Sequence, residues 1–590
     1  MATDRSTGKL TGNWPALALL ALLLAALGIR IWGIWFGLPF VFHNDEGFEV
    51  VRALQLGTGQ FDFTRVAKGG YFYLLFVEYG VLFAFLFLTG AVSSAAEFGE
   101  YYIKDPSAFY LIGRATTAVI GTLTVYLVYR LGRMAYSTAA GLIGAALLAF
   151  NILHSYTSHL TTVDVPLTFL TLAALYFAYK MTTPEGTHRD YWWAALMAAF
   201  ATTTKIPAVL VLIPLVIAHV YFVRNHGGAG RQYFLSKHLW QAAAIFLGVY
   251  VVTTPGIIIY FDNVVLSGLA KFSGSTEALT DVDDAGLDEG TLRANTNLFV
   301  YYFDVFVASM TWPVFAVCVA GLLYAAWRRL PIDVLLAVFA VVIYVVMSSA
   351  TDPHQFFPRY ILPAVPAMAL LGGRLLADLV QRLAPAMRPF AAPAVVAALV
   401  ALPLAQIVED NHTLLKKDTR EIAREWFDEN IPTGSRVFIE GSRTVVSNAT
   451  IPLQNSADNL RASIQMYKDS EPGKAKYFRM NLNVLSGPTY DLMGVQPWDL
   501  QDLDWYKDAG IQYFVLRPNS YKNSRLRYQW TDLVDALRAD PDVELIKRFV
   551  PTEENSWRSP LIEIYRVNSN LELVEVGERE DVAAAVPSGG

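Results

Sequence analysis

The chain has 590 residues, 54% of them hydrophobic and only 17% charged, with a mean hydropathy of +0.35. That is too apolar for an ordinary soluble protein of this length and reads as a polytopic membrane protein. The formal charge of -6 says little by itself, since basic and acidic residues gather in different loops; no nucleic-acid partner is expected, and one cysteine, Cys318, set in an apolar run, excludes an intrachain disulfide and a thiolate metal site.

The chain opens with Arg5 and Lys9 ahead of an apolar segment, Trp14 to Leu38, without a small-residue cleavage site, which predicts a retained anchor with a cytoplasmic start. Trp32, Trp35 and Phe36 form an aromatic belt at its end, and the acidic pair Asp45-Glu46 follows within Phe42-His43-Asn44-Asp45-Glu46-Gly47-Phe48. Ionisable groups beside hydrocarbon are costly unless they are used, so an active site is expected here, at the outer surface. Further candidate spans are Leu111 to Tyr129, Ala139 to Leu153, Pro166 to Tyr179, Tyr191 to Thr204, Ile206 to Val223 and Leu239 to Tyr260. Leu298 to Ala326, Ile332 to Ser349, Tyr360 to Val380 and Phe390 to Ile407 complete the series. Each is apolar enough to cross a core of roughly 30 Å, which gives about eleven spans.

Charge orients them. With the N-terminus inside, the cytoplasmic loops carry Arg130 and Arg133, Lys180 and Arg189, Arg224, Arg231 and Lys237, Arg328 and Arg329, and Arg382 and Arg388. The outer loops carry Asp45 and Glu46, Asp164, the run Asp281-Val282-Asp283-Asp284 with Asp288 and Glu289, and Asp352. Counting Tyr71 to Val92 as a crossing would invert this pattern, so that stretch, with Glu78 and Tyr79 inside it, is expected to lie in or re-enter the outer leaflet. Residues 1–408 are thus expected to form a membrane domain, 409–567 an extracytoplasmic α/β domain and 568–590 a disordered tail. In the second of these, a helix is predicted at Thr419 to Asn430 and strands at Arg436 to Ile439, Ile511 to Leu516, Val543 to Phe549 and Leu561 to Val567. Helices are predicted at Leu503 to Ala509 and Tyr528 to Ala539.

Asp45-Glu46 after the first span, Lys68-Gly69-Gly70-Tyr71-Phe72-Tyr73, Gly113-Arg114-Ala115 leading to Asp164-Val165-Pro166, Thr204-Lys205-Ile206-Pro207, and Phe357-Pro358-Arg359-Tyr360 occur in that order. In this the chain resembles the GT-C superfamily of membrane glycosyltransferases, in the branch of protein O-mannosyltransferases and the lipid A aminoarabinose transferase. One departure is Gly69-Gly70 where that family has prolines, which predicts a more mobile loop at Lys68.

The resemblance implies an inverting glycosyltransferase of the plasma or inner membrane that takes sugar from a polyprenyl-phosphate donor to a protein, lipid or polysaccharide acceptor. Such a step needs a carboxylate to accept the acceptor's proton and cations to hold the departing phosphate. Asp45 is the expected base, with Glu46 orienting it or binding acceptor. Asp164 either shares that cavity or caps the helix opening at Pro166. Arg359, Lys205 and Lys68 are the expected phosphate-binding cations, a guanidinium being able to grip two oxygens and stay charged beside lipid. Arg114 is expected to pair with an acidic residue and fix the cavity, which Tyr71, Tyr73, Tyr360 and His354 help to line. Asp45 and Asp164 are candidate ligands for Mg²⁺ or Mn²⁺, and His43, His154 and His159 would favour Zn²⁺. The loop Asp262 to Asn297 either helps to close the site or is a solvated acidic face. A transporter or flippase of a lipid-linked sugar, or a non-catalytic scaffold, is the competing expectation; the former would place ionisable groups near the bilayer midplane in repeated halves.

Overall fold

The computed structural model describes residues 13–59, 69–259, 297–349, 357–440, 450–495, 500–518, 527–551 and 559–568. The chain divides into two compact units, Met1–Lys417 and Asp418–Gly590. The expected boundary at residue 408 falls inside a continuous helix, Arg388–Leu414, which carries the first unit onward past Asp410.

The first unit is helical. Its helices are α1 (Trp14–Ile31), α2 (Asn44–Leu56), α3 (Gly70–Leu88), α4 (Ala95–Lys104), α5 (Ser107–Ala135), α6 (Thr138–Ala149), α7 (Ile152–Thr157), α8 (Asp164–Met181) and α9 (His188–Thr204). There follow α10 (Leu212–Asn225), α11 (Gln232–Leu235), α12 (Lys237–Thr253), α13 (Gly256–Ile259), α14 (Leu298–Met310), α15 (Trp312–Arg328), α16 (Pro331–Ser348), α17 (Val365–Val380) and α18 (Arg388–Leu414). Two 3-10 turns, Ile206–Val211 and Pro358–Ala364, lead into α10 and α17.

Among the described residues eight helical stretches are long and apolar enough to cross a membrane, or nine if α14 and α15, bent by 114° at Thr311, count as one span. The protein is therefore an integral membrane protein. Three of the stretches expected to span, around α6, α8 and α9, are helices that do not reach this standard. α6 has only 12 residues. All three sit largely inside the bundle, where protein rather than lipid satisfies their surroundings. Small residues let the backbones meet: a Cβ on Gly373 of α17 would lie 2.4 Å from the Gly144 nitrogen of α6.

The segment Tyr71–Val92 begins as α3, whose 19 residues pass the same test for a crossing. Its side-chain bonds to α5 at Phe109, Thr116 and Thr117 fall in the first eleven residues of that helix. The Tyr71 hydroxyl meets Thr117, Thr116 donates to Glu78, and Tyr79 donates to the Phe109 carbonyl. This is the end of α5 that also carries Arg114.

The second unit is a small α/β domain. Its sheet has the order β2-β1-β3-β5-β4, with β1 (Arg436–Glu440), β2 (Asp491–Val495), β3 (Tyr513–Leu516), β4 (Val543–Phe549) and β5 (Ile562–Val567). β1 runs parallel to β2 and β3, and β5 antiparallel to β3 and β4. α19 (Thr419–Asn430), opened by the Asp418 side chain accepting from the Arg420 N–H, packs Ala423 and Phe427 on one face of the sheet. α20 (Ala457–Tyr467), α21 (Pro472–Asn483), α22 (Leu503–Asp508) and α23 (Arg527–Ala539) complete the unit.

Candidate functional site

The site is assembled at helix starts and helix breaks, where backbone groups and charged side chains can meet without interrupting a ladder. Asp45 and Glu46 occupy the first turn of α2, a helix too short and too polar to span. The preceding loop passes through Val41 at φ 53°, a left-handed conformation that a β-branched residue rarely adopts, and this strain lies four residues before Asp45.

Glu46 and Arg114 hold that loop down. The guanidinium donates from Nε and Nη2 to the two carboxylate oxygens at 2.8 and 2.7 Å, and from Nη1 to the carbonyls of Ile34 and Phe36 at 2.8 Å each. Its plane stacks 4.1 Å from the Phe36 ring centroid, and the Thr161 N–H gives Glu46 a further bond at 2.9 Å. Both side chains are fully buried. Burial alone would raise the Glu46 carboxyl, but the charge and hydrogen bonds of Arg114, with His43 and the Thr161 N–H, outweigh it and hold the group below its ordinary value. So committed, Glu46 is not placed to touch an acceptor. It is a strut that fixes α2, and with it Asp45, against α5, and the pairing expected of Arg114 is made here.

Asp45 leads into a second, linear network. Arg359 Nη2 donates to Asp45 Oδ2 at 2.6 Å, while Arg359 Nε lies 3.4 Å from Asp164 Oδ2. Lys205 Nζ donates to Asp164 Oδ1 at 2.7 Å. Side chains 314 and 41 residues apart in sequence thus close one four-membered chain of alternating charge. The Asp164 side chain is 2% exposed and that of Asp45 40%, so the network is anchored at one end and open at the other. Aromatic rings carry both cations: Phe357 lies 4.0 Å from the Arg359 guanidinium and Tyr360 4.2 Å from the Lys205 ammonium.

Each member is placed by a local interruption. Asp164 starts α8, whose first turn also holds Pro166, but its side chain caps nothing and points to the two cations. Lys205 is the extended residue between α9 and the Ile206–Val211 turn, where Pro207 prevents the helix from continuing. Arg359 rides the Pro358–Ala364 turn, held in 3-10 form with prolines at 358 and 363.

Tyr71 is buried, its hydroxyl spent on Thr117, so it packs behind the site instead of lining a path. Tyr73 is half-buried against Leu56 and Phe72. Lys68, His354 and most of the loop expected to close the site fall outside the described residues. Gly69 and Gly70 are described, and they are tightly seated where a mobile loop was expected. The Gly69 N–H donates to the Thr203 carbonyl at 2.7 Å, and a Cβ there would lie 1.8 Å from the Thr253 carbonyl oxygen. Proline could supply neither the donor nor the space.

The carboxylates expected to hold a divalent ion face Arg359 and Lys205, so an ion bound between them would have to displace a guanidinium. Among the described residues no group of three or more His, Cys, Asp or Glu could hold a metal. His159 is engaged by the carbonyls of Ser155 and Trp32, and His154 Nδ1 by Arg30. Arg30 and Tyr302 were not singled out from sequence. Arg30 is fully buried at the end of α1 and bonds to the Ala26 and Ala149 carbonyls. Tyr302 lies buried in α14 close to Arg359 and Tyr360. A single arginine ending a span and a tyrosine in an aromatic run read from sequence as a snorkelling group and packing.

Residues 111–255, about a quarter of the chain, match a family model described as dolichyl-phosphate-mannose-protein mannosyltransferase. The matched stretch contains Arg114, Asp164 and Lys205. No curated protein matches the chain. Among solved structures it is similar to ArnT from Cupriavidus metallidurans, bound to undecaprenyl phosphate or in the apo state, with a TM-score of 0.51 at 13% identity over 94% of this chain and 98% of that one. The fold is GT-C. The Archaeoglobus fulgidus oligosaccharyltransferase AglB, in complex with an inhibitory peptide and a dolichol-phosphate, matches at a TM-score of 0.47 and 13% identity, over 89% of this chain and 72% of AglB. The chain thus resembles the branch of GT-C membrane glycosyltransferases that holds the protein O-mannosyltransferases and ArnT.

Proposed function

We propose that this protein is an inverting glycosyltransferase that moves a sugar from a polyprenyl-phosphate carrier to an acceptor hydroxyl or amine at the extracytoplasmic face of the membrane. The observation that carries the reading is the Asp45–Arg359–Asp164–Lys205 network, which pairs a partly exposed carboxylate with Arg359 and links it through the buried Asp164 to a second cation, Lys205. The family description for residues 111–255 and the fold shared with ArnT both favour glycosyl transfer.

In this reading Asp45 takes the proton from the acceptor as its oxygen or nitrogen attacks the anomeric carbon from the face opposite the phosphate. The bond between that carbon and the phosphate oxygen breaks, its electron pair leaves with the phosphate, and the anomeric configuration inverts. Arg359 and Lys205 hold the phosphate as its charge develops. Charge neutrality orders these events. The two carboxylates balance the two cations before donor arrives, so a phosphate that draws Arg359 to itself also releases Asp45 from its ion pair. The base is exposed as the donor seats. Asp164, buried between the two cations, sets their spacing. The basic loops from Arg130 to Arg388 favour a cytoplasmic location for the opposite end of the bundle.

The test is transfer of labelled sugar from polyprenyl phosphate in membranes containing the protein, with Asp45→Asn and Arg359→Ala for comparison. Product formed by the wild type and lost in both variants supports the reading; full activity in both overturns it.

A further inference from the structure

In the second unit two arginines share one buried carboxylate. Glu563 of β5 is fully enclosed, yet the side chains that reach it are half-exposed, Arg538 of α23 at 45% and Arg548 of β4 at 48%. Arg548 Nε donates to Glu563 Oε1 at 2.8 Å, Arg538 Nη2 donates to Oε2 at 3.0 Å, and the Tyr565 hydroxyl also donates to Oε2. Arg538 Nε donates in turn to the Tyr565 oxygen at 3.2 Å. Both guanidinia are therefore mounted rigidly while part of each faces solvent. Among the described residues neither Nη1 has an acceptor.

One cation neutralises one carboxylate, and the second is surplus. Neighbouring pairs cancel among themselves: Glu544 is held by Arg566 and Glu440 by Arg517, at 2.7 Å each. Asp535, one turn before Arg538 on α23, is exposed, so solvent screens it. Position matters as well as charge. Glu563 is the register partner of Leu516, the last residue of β3, so the cluster stands at the carboxyl end of the parallel strands. Open α/β sheets bind ligands at that edge.

Two planar forks held side by side match the oxygens of a carboxylate or a phosphoryl group. We infer that Arg538 and Arg548 bind the oxyanion of an acidic sugar, carboxylate or phosphoryl, with Glu563 as the mount that fixes their spacing. On the glycosyl-transfer reading that sugar belongs to the acceptor. Binding is measured without donor, so a failed titration faults this site and a failed transfer assay faults that reading.

The full-length protein in detergent is titrated at constant ionic strength with trigalacturonate, glucose 6-phosphate and, as the neutral control, galactose, by calorimetry, and exchange of the amides in 562–567 is followed alongside. Saturable binding of at least one oxyanion and none of galactose is expected, the tighter of the two naming the group. Arg538→Gln and Arg548→Gln should each weaken it about 10- to 150-fold, the value of a charge-assisted hydrogen bond. Arg548→Lys leaves Glu563 a cation but no fork, so it should keep β5 protected and still lose most of the binding. Glu563→Gln removes the competing carboxylate and should tighten binding by up to about fivefold. No saturable binding of either oxyanion, binding matched by galactose, binding unchanged in Arg548→Lys, or binding weakened in a Glu563→Gln protein whose β5 stays protected would each overturn the inference.

Discussion

Replacing Arg114 by methionine keeps most of the side-chain volume and removes the guanidinium, which leaves Glu46 with the Thr161 N–H and strips the Ile34 and Phe36 carbonyls of their donor. Because both partners of the ion pair are fully buried, no water replaces the lost bonds. Breaking such a pair on one side costs about 3–5 kcal/mol. The pair joins α2 to α5, so the loss should appear as local opening of α2, with the opening constant rising roughly 150- to 5,000-fold. Hydrogen exchange of the amides in 44–56, measured on the detergent-solubilised chain, reads this directly. Arg114→Lys should not restore protection, since one ammonium cannot serve two carboxylate oxygens and two carbonyls. Adding Glu46→Gln to Arg114→Met should recover part of the loss, because it removes the stranded charge. Exchange in α2 within about threefold of the wild type in Arg114→Met, or a double variant as damaged as the two losses added, would refute the strut.

Gly69→Ala should lower the thermal midpoint and sugar transfer together, because its Cβ would overlap the Thr253 carbonyl oxygen; Gly80→Ala, with nothing within 4 Å, should leave both unchanged or raise the midpoint slightly. Arg359→Lys keeps the charge but cannot reach both Asp45 and Asp164, so transfer should fall about 10- to 150-fold, the value of one charge-assisted hydrogen bond, as read from initial rates with labelled donor. In the second unit, burial pushes the Glu563 carboxyl up, but the Tyr565 hydroxyl with Arg548 and Arg538 more than reverses this and holds it below its ordinary value of 4.5. A depressed carboxyl contributes stability that is full above the unfolded value and is lost as pH falls through the folded one. Exchange protection of β5 should therefore drop as pH falls below about 4.5, and Glu563→Gln should flatten that slope.

The apolar periodicity and the segregation of Arg and Lys from Asp and Glu made the membrane bundle legible, because both follow from solvent and need no tertiary information. So did the strands at 543–549 and 562–567, whose β-branched and aromatic residues mark them locally. The edge strand Asp491–Val495 carried no such signal, since Gly494 and Met493 break the pattern and its place comes from pairing with β1. α20 and α21 were hidden for a related reason: their exposed faces leave few apolar residues to set a period. Asp45, Asp164, Lys205 and Arg359 could each be named as a charge near a helix end. That Arg359 would bridge the two aspartates, and that Glu46 would be sealed under Arg114, depends on contacts between residues 314 and 68 positions apart. The Gly69-Gly70 pair misled for the same reason, since glycine signals freedom locally and close approach only in the presence of Thr203 and Thr253.

The central claim is that Arg359 serves Asp45 until a carrier phosphate takes it. Carrier binding and sugar transfer measured on one preparation of Asp45→Asn test it most directly. With one competitor for the guanidinium neutralised, polyprenyl phosphate should bind several-fold more tightly, about 1 kcal/mol for a partly exposed pair, while transfer falls about 10²- to 10⁴-fold for want of a base. Unchanged or weaker carrier binding together with intact transfer would contradict the account.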